Sequence, residues 1–205
     1  MAIVNVHQKW IYLMEPHTAS RAVNDYLMAN KMGSKIGHHH IGIPELTDRR
    51  RQHITVDISQ YKIICTVRNP FDVLVTQWKH SQQKVEFIEW MEKAVNSDTL
   101  AATPLMGLWR QCNTFVYYEH LNEDLSTVFG RKIELDRNPA HKTEGKRPWL
   151  DYWCQDLKLL DTLYAKYSEF NSMFGYRLTY DTDLGVVMGI DQETREKRCR
   201  SISGG

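Results

Sequence analysis

The sequence predicts an α/β fold, three layers deep, with a central, mainly parallel sheet of four to five strands flanked by helices. Three observations lead there. Residues 61–67, YKIICTV, form a nearly continuous apolar run, the pattern of a strand covered on both faces in a parallel sheet. The run stops at Arg68-Asn69-Pro70, where proline suits the first turn of a following helix. Elsewhere β-prone runs alternate with segments of helical period, as crossover connections between parallel strands require.

In chain order, residues 9–14 (KWIYLM) read as a first strand ended by Glu15-Pro16, and residues 19–31 as a helix carrying Ala22, Val23, Tyr26 and Leu27 on one face. The buried run 61–67 is the second strand and leads into a helix over 70–82, with a further amphipathic segment over 85–95. TFVYY at 114–118 is expected to be a third strand and 131–135 a fourth, with a short helix over 121–129 between them. Residues 136–147 are polar and hold Asn138-Pro139 and Gly145, the makings of a loop long enough to reach over a site. Leu157, Leu160, Leu163, Tyr164 and Tyr167 mark one long amphipathic helix, with Gly175 shortly after its end. With no internal repeat and no boundary signal, residues 1–180 are expected to form a single domain and 181–205 a polar, solvated tail.

The chain has 205 residues, with 26 basic against 25 acidic side chains, so no general electrostatic drive toward nucleic acid or an anionic membrane surface is expected. Any anion must be held locally. The longest early apolar run, at residues 10–14, is far too short for a signal peptide or a membrane span, and a soluble, cytoplasmic chain is expected. Cys65, Cys112, Cys154 and Cys199 form no CxxC pair, which argues against a zinc ribbon, a thioredoxin-like site or a disulfide scaffold. Cys65 is expected in the core and Cys199 on the surface.

Two segments read as phosphate sites. Ligands of open parallel sheets bind beyond the carboxyl ends of the strands, and both segments fall at such ends. The first is Glu15-Pro16-His17-Thr18-Ala19-Ser20-Arg21, joining a strand to a helix N-terminus whose N–H groups and dipole favour an anion. Thr18 and Ser20 add hydroxyls; His17 and Arg21 add positive charge. The plain structural alternative is an ordinary connection with Ser20 as N-cap. The second segment runs from Arg68 to Thr76, an arginine ending a buried strand and a hydroxyl eight residues later on the next helix, able to grip one phosphate from two sides. Its alternative is an arginine paired with Asp72 and a Thr76 that bonds back to its own helix.

These segments resemble those of the sulfotransferase superfamily, particularly its short Golgi-carbohydrate-like and bacterial branches. That family carries a Pro-Lys-Thr-Ala-Gly-Thr-Ser-type loop for the 5′-phosphosulfate of 3′-phosphoadenosine 5′-phosphosulfate (PAPS) and an Arg-Asp/Asn-Pro…Ser motif for its 3′-phosphate. Here the corresponding residues are Pro16-His17-Thr18-Ala19-Ser20-Arg21-Ala22 and Arg68-Asn69-Pro70…Thr76. Tyr118-Glu119-His120-Leu121 is similar to the family's Tyr-Glu-Asp-Leu, Arg147-Pro148-Trp149 to its Arg-Pro-Tyr, and Phe174-Gly175-Tyr176 to the Phe-Gly-Tyr that commonly closes the domain. The resemblance spans residues 9 to 176 and implies a P-loop-like sheet and a transferase that uses PAPS as donor, releases 3′-phosphoadenosine 5′-phosphate (PAP) and needs no metal. The acceptor is a hydroxyl or amine of a small molecule, lipid or carbohydrate. His17 stands where the family has lysine, and Ser20 and Arg21 where it has glycine and a hydroxyl, so His17 and Arg21 are expected to stabilise the departing phosphate. A nucleotide-binding protein without catalysis is the alternative, and an ATP-dependent kinase is disfavoured because no GxxxxGK[ST] occurs.

Gly37-His38-His39-His40 is the other conspicuous cluster. In an extended segment His38 and His40 point to one side and His39 to the other, which does not suit one metal ion. The family often places a histidine between its first helix and second strand as the base for the acceptor proton, which makes His40, then His39, then His38 the candidates, beside a bland role as surface or capping histidines. Arg49, Arg50 and Arg51 read as a solvated face of a short helix. Lys142, Lys146 and Arg147 lie where the family supplies further cofactor contacts, so one of them is expected on the 3′-phosphate. Trp10, Trp78, Trp149 and Trp153 can stack on adenine but at these spacings more often pack a core or its rim.

Overall fold

The computed structural model describes residues 1–38, 40–48, 57–81, 84–96, 107–135, 146–181 and 185–200. The chain divides into two compact units, one of residues 1–68, 105–142 and 198–205, the other of 69–104 and 143–197.

The first unit is built on a five-stranded sheet of β1 (Ala2–Asn5), β2 (Trp10–Leu13), β3 (Ser34–Ile36), β4 (Lys62–Val67) and β5 (Thr114–Tyr117), in the order β3-β1-β2-β4-β5. All four residues of β2 and of the edge strand β5 are buried, as the apolar runs demand of strands covered on both faces. β2, β4 and β5 run parallel, with Leu13 beside Cys65 and Val67 beside Tyr117. β1 pairs antiparallel with both β2 and β3, so the sheet is mixed and not mainly parallel. The reason is local: the Asn5 side chain accepts from the Gln8 amide at 2.8 Å and Lys9 has φ 52°, a tight turn that can only return the chain antiparallel. Beside the short α2 (Ile43–Leu46), helices α1 (Ser20–Ala29) and α5 (Leu121–Phe129) bury Val23, Leu27 and Leu125 against Ile3, Tyr12, Ile64 and Val116 of the sheet.

The expected strand over 131–135 is absent. Lys132 and Glu134 are exposed while Ile133 and Leu135 are buried, so the alternation is real. The backbone, however, is satisfied by helix side chains: the Ile133 amide donates to Ser126 Oγ at 2.8 Å and the Leu135 amide to Asn122 Oδ1 at 3.2 Å. A segment whose amides are taken by α5 has none left for a neighbouring strand.

The second unit contains α3 (Pro70–His80), α4 (Phe87–Asn96), α6 (Leu150–Trp153), α7 (Leu157–Lys166), α8 (Ser168–Phe174) and the hairpin of β6 (Tyr176–Asp181) with β7 (Gly185–Ile190). Its core is aromatic: Trp153 sits edge-on to Phe71 at 5.3 Å and to Phe87 at 4.9 Å, and its indole N–H donates to the Phe71 carbonyl at 3.3 Å. The single long helix expected from Leu157 to shortly before Gly175 is two, divided at Tyr167, which leaves helical geometry at ψ 19° with its ring 6.2 Å from Phe71. Gly175 ends α8 at φ 69°, and a Cβ there would lie 2.9 Å from that of Asp191.

The segment expected to be a solvated tail is folded over Gly185–Ile190 and Gln192–Cys199, the latter forming α9. Asp191 caps α9, accepting from the Thr194 amide at 2.9 Å and its hydroxyl at 2.6 Å, and these bonds hold its carboxyl below the ordinary carboxylate range. The contribution is therefore present above the ordinary pKa and lost as pH falls through the lower folded one. Cys199 is buried, not exposed, because it lies one turn after the buried Arg195 on the same side of α9. Among the described residues no helix is long and apolar enough to cross a membrane.

Replacing Ser126 by Ala should strand the Ile133 amide at a cost of about 2 kcal/mol, measured by urea unfolding. A loss well under half of that would mean the 131–135 segment is held by something else.

Candidate functional site

In the first unit, the residues that follow the three parallel strands meet at one guanidinium. Arg68, directly after β4, is 6% exposed. Its Nη1 donates to the His17 carbonyl at 2.7 Å, in the loop after β2, and its guanidinium lies 3.9 Å from the ring centre of Tyr118, directly after β5. The first two are candidate phosphate residues from sequence; Tyr118 enters there only within the resemblance over residues 118–121, with no role in the site. Its place beside Arg68 follows from the strand register, since Val67 pairs with Tyr117 and their successors are neighbours.

The loop itself is unusual in its backbone. His17 and Ala19 both have positive φ, 60° and 61°, and Ala19 stands at the N-cap position of α1 without a side-chain cap. Ser20 is thus the first helical residue and not the cap expected of it. A left-handed residue followed by a helical one turns successive N–H groups into one concavity, the backbone arrangement that suits an anion. Thr18 is fully buried, and its hydroxyl donates to the Glu15 carbonyl at 2.8 Å, pinning the turn. Pro16 and His17 are half-buried and Arg21 is exposed on the first turn of α1.

His40 belongs to the same end of the sheet. Its Nδ1 lies 2.8 Å from the carbonyl of Met14, the residue after β2. A carbonyl only accepts, so Nδ1 carries the proton and Nε2 is the basic nitrogen of the neutral ring. His38 instead pairs with Glu45 at 2.9 Å in an exposed position. His39 lies outside the described residues, as do Arg49, Arg50, Arg51 and Lys142.

In the second unit, α3 begins as the sequence indicates. Asn69 Oδ1 accepts from the Phe71 amide at 2.9 Å and Pro70 occupies the first turn. Thr76 is 4% exposed and donates to the Asp72 carbonyl at 2.9 Å, the local bond weighed against a phosphate role. Lys146 joins them: its ammonium pairs with the Asp72 carboxylate and donates to Thr76 Oγ1 at 3.0 Å. The link between Asp72 and Lys146 has no signature in a sequence that separates them by more than seventy residues. Arg147 is exposed, its guanidinium 4.9 Å from the Tyr152 ring centre.

Trp10 and Trp153 are core residues, while Trp78 and Trp149 are half-buried at the rim of the aromatic cluster. The second unit also has a cleft of about 350 Å³ lined by Tyr164, Ser168, Asn171 and Arg177, with Gly175 and Tyr176 of the Phe-Gly-Tyr segment, but none of the candidate catalytic or nucleotide-binding residues lines it. Among the described residues no three His, Cys, Asp or Glu side chains gather as metal ligands would. Comparison with family models, curated proteins and solved structures finds no match to this chain.

Arg68→Ala should lower stability by about 3 kcal/mol in urea unfolding, since it removes a charge-assisted bond and a desolvated cation–π contact together. Arg68→Lys, which keeps the charge but loses the planar fork, should recover less than half. Full recovery by lysine would show that charge alone is what the three strand ends need.

Proposed function

We propose that the chain binds PAPS and transfers its sulfuryl group to a hydroxyl or amine acceptor. The observation that carries this reading is the contact between Arg68 and the His17 carbonyl, which joins the two segments resembling the sulfotransferase motifs at the carboxyl ends of parallel strands. The reading takes the five-stranded sheet as a P-loop-like one and the chain as cytoplasmic, with a small-molecule, lipid or carbohydrate acceptor and no nucleic acid.

In this reading the loop N–H groups of residues 17–20, with the Ser20 hydroxyl, take the 5′-phosphosulfate, while the Thr18 hydroxyl pins the turn that presents them. The resemblance gives the 3′-phosphate to Arg68 and to Thr76, and in the second unit Lys146 and Arg147 are further cations for it. The acceptor oxygen or nitrogen attacks sulfur in line. Its bond to sulfur forms as the bond from sulfur to the bridging oxygen breaks, and the electron pair of that bond leaves on the 5′-phosphate of PAP. The acceptor proton passes to Nε2 of His40, whose tautomer suits it for the task, or to His39. Charge arising on the departing phosphate is met by backbone N–H groups, by Arg21 and by a protonated His17. Positioning and electrostatics supply most of the rate.

Incubation with PAPS and mixed acceptors, read by mass spectrometry, should give a product heavier by one sulfate. A phosphate gain with ATP indicates a kinase, and no transfer with retained PAP binding indicates a binding protein. His40→Ala should slow transfer by about a hundredfold or more while PAP binds unchanged; a native rate in that variant would move the base to another residue.

A further inference from the structure

We propose that Asp72 is a resident stand-in for the anion that Thr76 and Lys146 bind, so that a phosphate enters by exchange, displacing the carboxylate from Lys146. The proposal rests on the PAPS reading above and adds to it how that half of the site is held and how it selects.

α3 places Asp72 and Thr76 four residues apart and therefore on one face. The Lys146 ammonium lies over that face with three oxygens around it: the Asp72 carboxylate, Thr76 Oγ1 at 3.0 Å and the Asp72 carbonyl at 3.4 Å. An ammonium has three N–H donors, and these three oxygens match them. The Lys146 and Asp72 side chains are only 14% and 15% exposed, so the pair is set apart from the surface ion pairs of this chain, such as Lys132 with Glu134 at 83% and 70%. Water screens it less, and its geometry is held by Thr76.

Two consequences follow from that arrangement. The carboxylate keeps Lys146 beside Thr76 when no nucleotide is present, which spares the cost of ordering a long side chain at the moment of binding. It also sets a threshold. A phosphomonoester dianion offers the ammonium more charge and more oxygens than one carboxylate does, and can displace it; a carboxylate metabolite or a chloride ion offers no more and cannot. Selection for a doubly charged phosphate over weaker anions is thereby built into α3, at the expense of some affinity for the phosphate itself.

The test is calorimetric titration of the full chain with PAP and with 5′-AMP, in the native form and as Asp72→Asn, Lys146→Ala and the double variant, with Asp72→Ala as a second removal of the carboxylate. Removing the competing carboxylate should tighten PAP binding about fivefold, and this gain should vanish when Lys146 is also removed. A brace with no part in binding gives the opposite result, since Asp72→Asn would then lower the thermal midpoint and leave PAP affinity unchanged or weaker. An equal gain with and without Lys146 also overturns the proposal, because it would reflect a general loss of negative charge. If the native chain prefers PAP over 5′-AMP but neither Asp72 variant gains, the exchange is wrong and the PAPS reading stands. If no form distinguishes PAP from 5′-AMP, both fall together.

Discussion

A guanidinium almost excluded from water is the constraint around which the first unit is arranged. A guanidinium carries a fixed charge, so the burial of Arg68 is tolerable only if acceptors and π-faces replace the water it has given up. The His17 carbonyl and the Tyr118 ring do so, and they come from the loops after the two strands that flank β4. One side chain thus ties three strand ends together. The requirement also explains the loop. His17 and Ala19 adopt left-handed backbone that costs of order 1 kcal/mol each, and such a conformation persists where its surroundings fix it. Arg68 holds the His17 carbonyl, and the buried Thr18 hydroxyl holds that of Glu15.

What the sequence made legible was whatever is decided locally. β2, β4 and β5 were visible because strands covered on both faces are apolar on both, and α3 because Asn69-Pro70 starts a helix by its own chemistry. β1 and β3 are short and owe their existence to pairing with neighbours, as does the β6–β7 hairpin. Residues 131–135 mislead for a related reason. Alternating burial of Ile133 and Leu135 is the signature of any extended segment on a core, and only the partners of its amides distinguish a strand from a segment bonded to the side chains of α5. The helix α9 was hidden by its charge, since two buried positions, Arg195 and Cys199, suffice to anchor it.

The candidate site divides in the same way. Arg68, His17 and Thr76 announce themselves through residue type and spacing, and His40 through the cluster it ends. The partners that give these residues their geometry did not: Tyr118, the Met14 carbonyl and the Asp72–Lys146 pair all depend on tertiary contact. Those partners bear on chemistry. The Met14 carbonyl selects the tautomer of His40, and in the proposed exchange Asp72 is what an arriving anion must displace.

The account stands on the 3′-phosphate, the one feature that separates this nucleotide from ordinary adenine nucleotides. Calorimetry of the native chain with PAP and with 5′-AMP, at matched ionic strength, measures it directly. Charge-assisted hydrogen bonds to a 3′-phosphate predict at least about tenfold tighter binding of PAP. Equal affinity for the two nucleotides would contradict the account at its base.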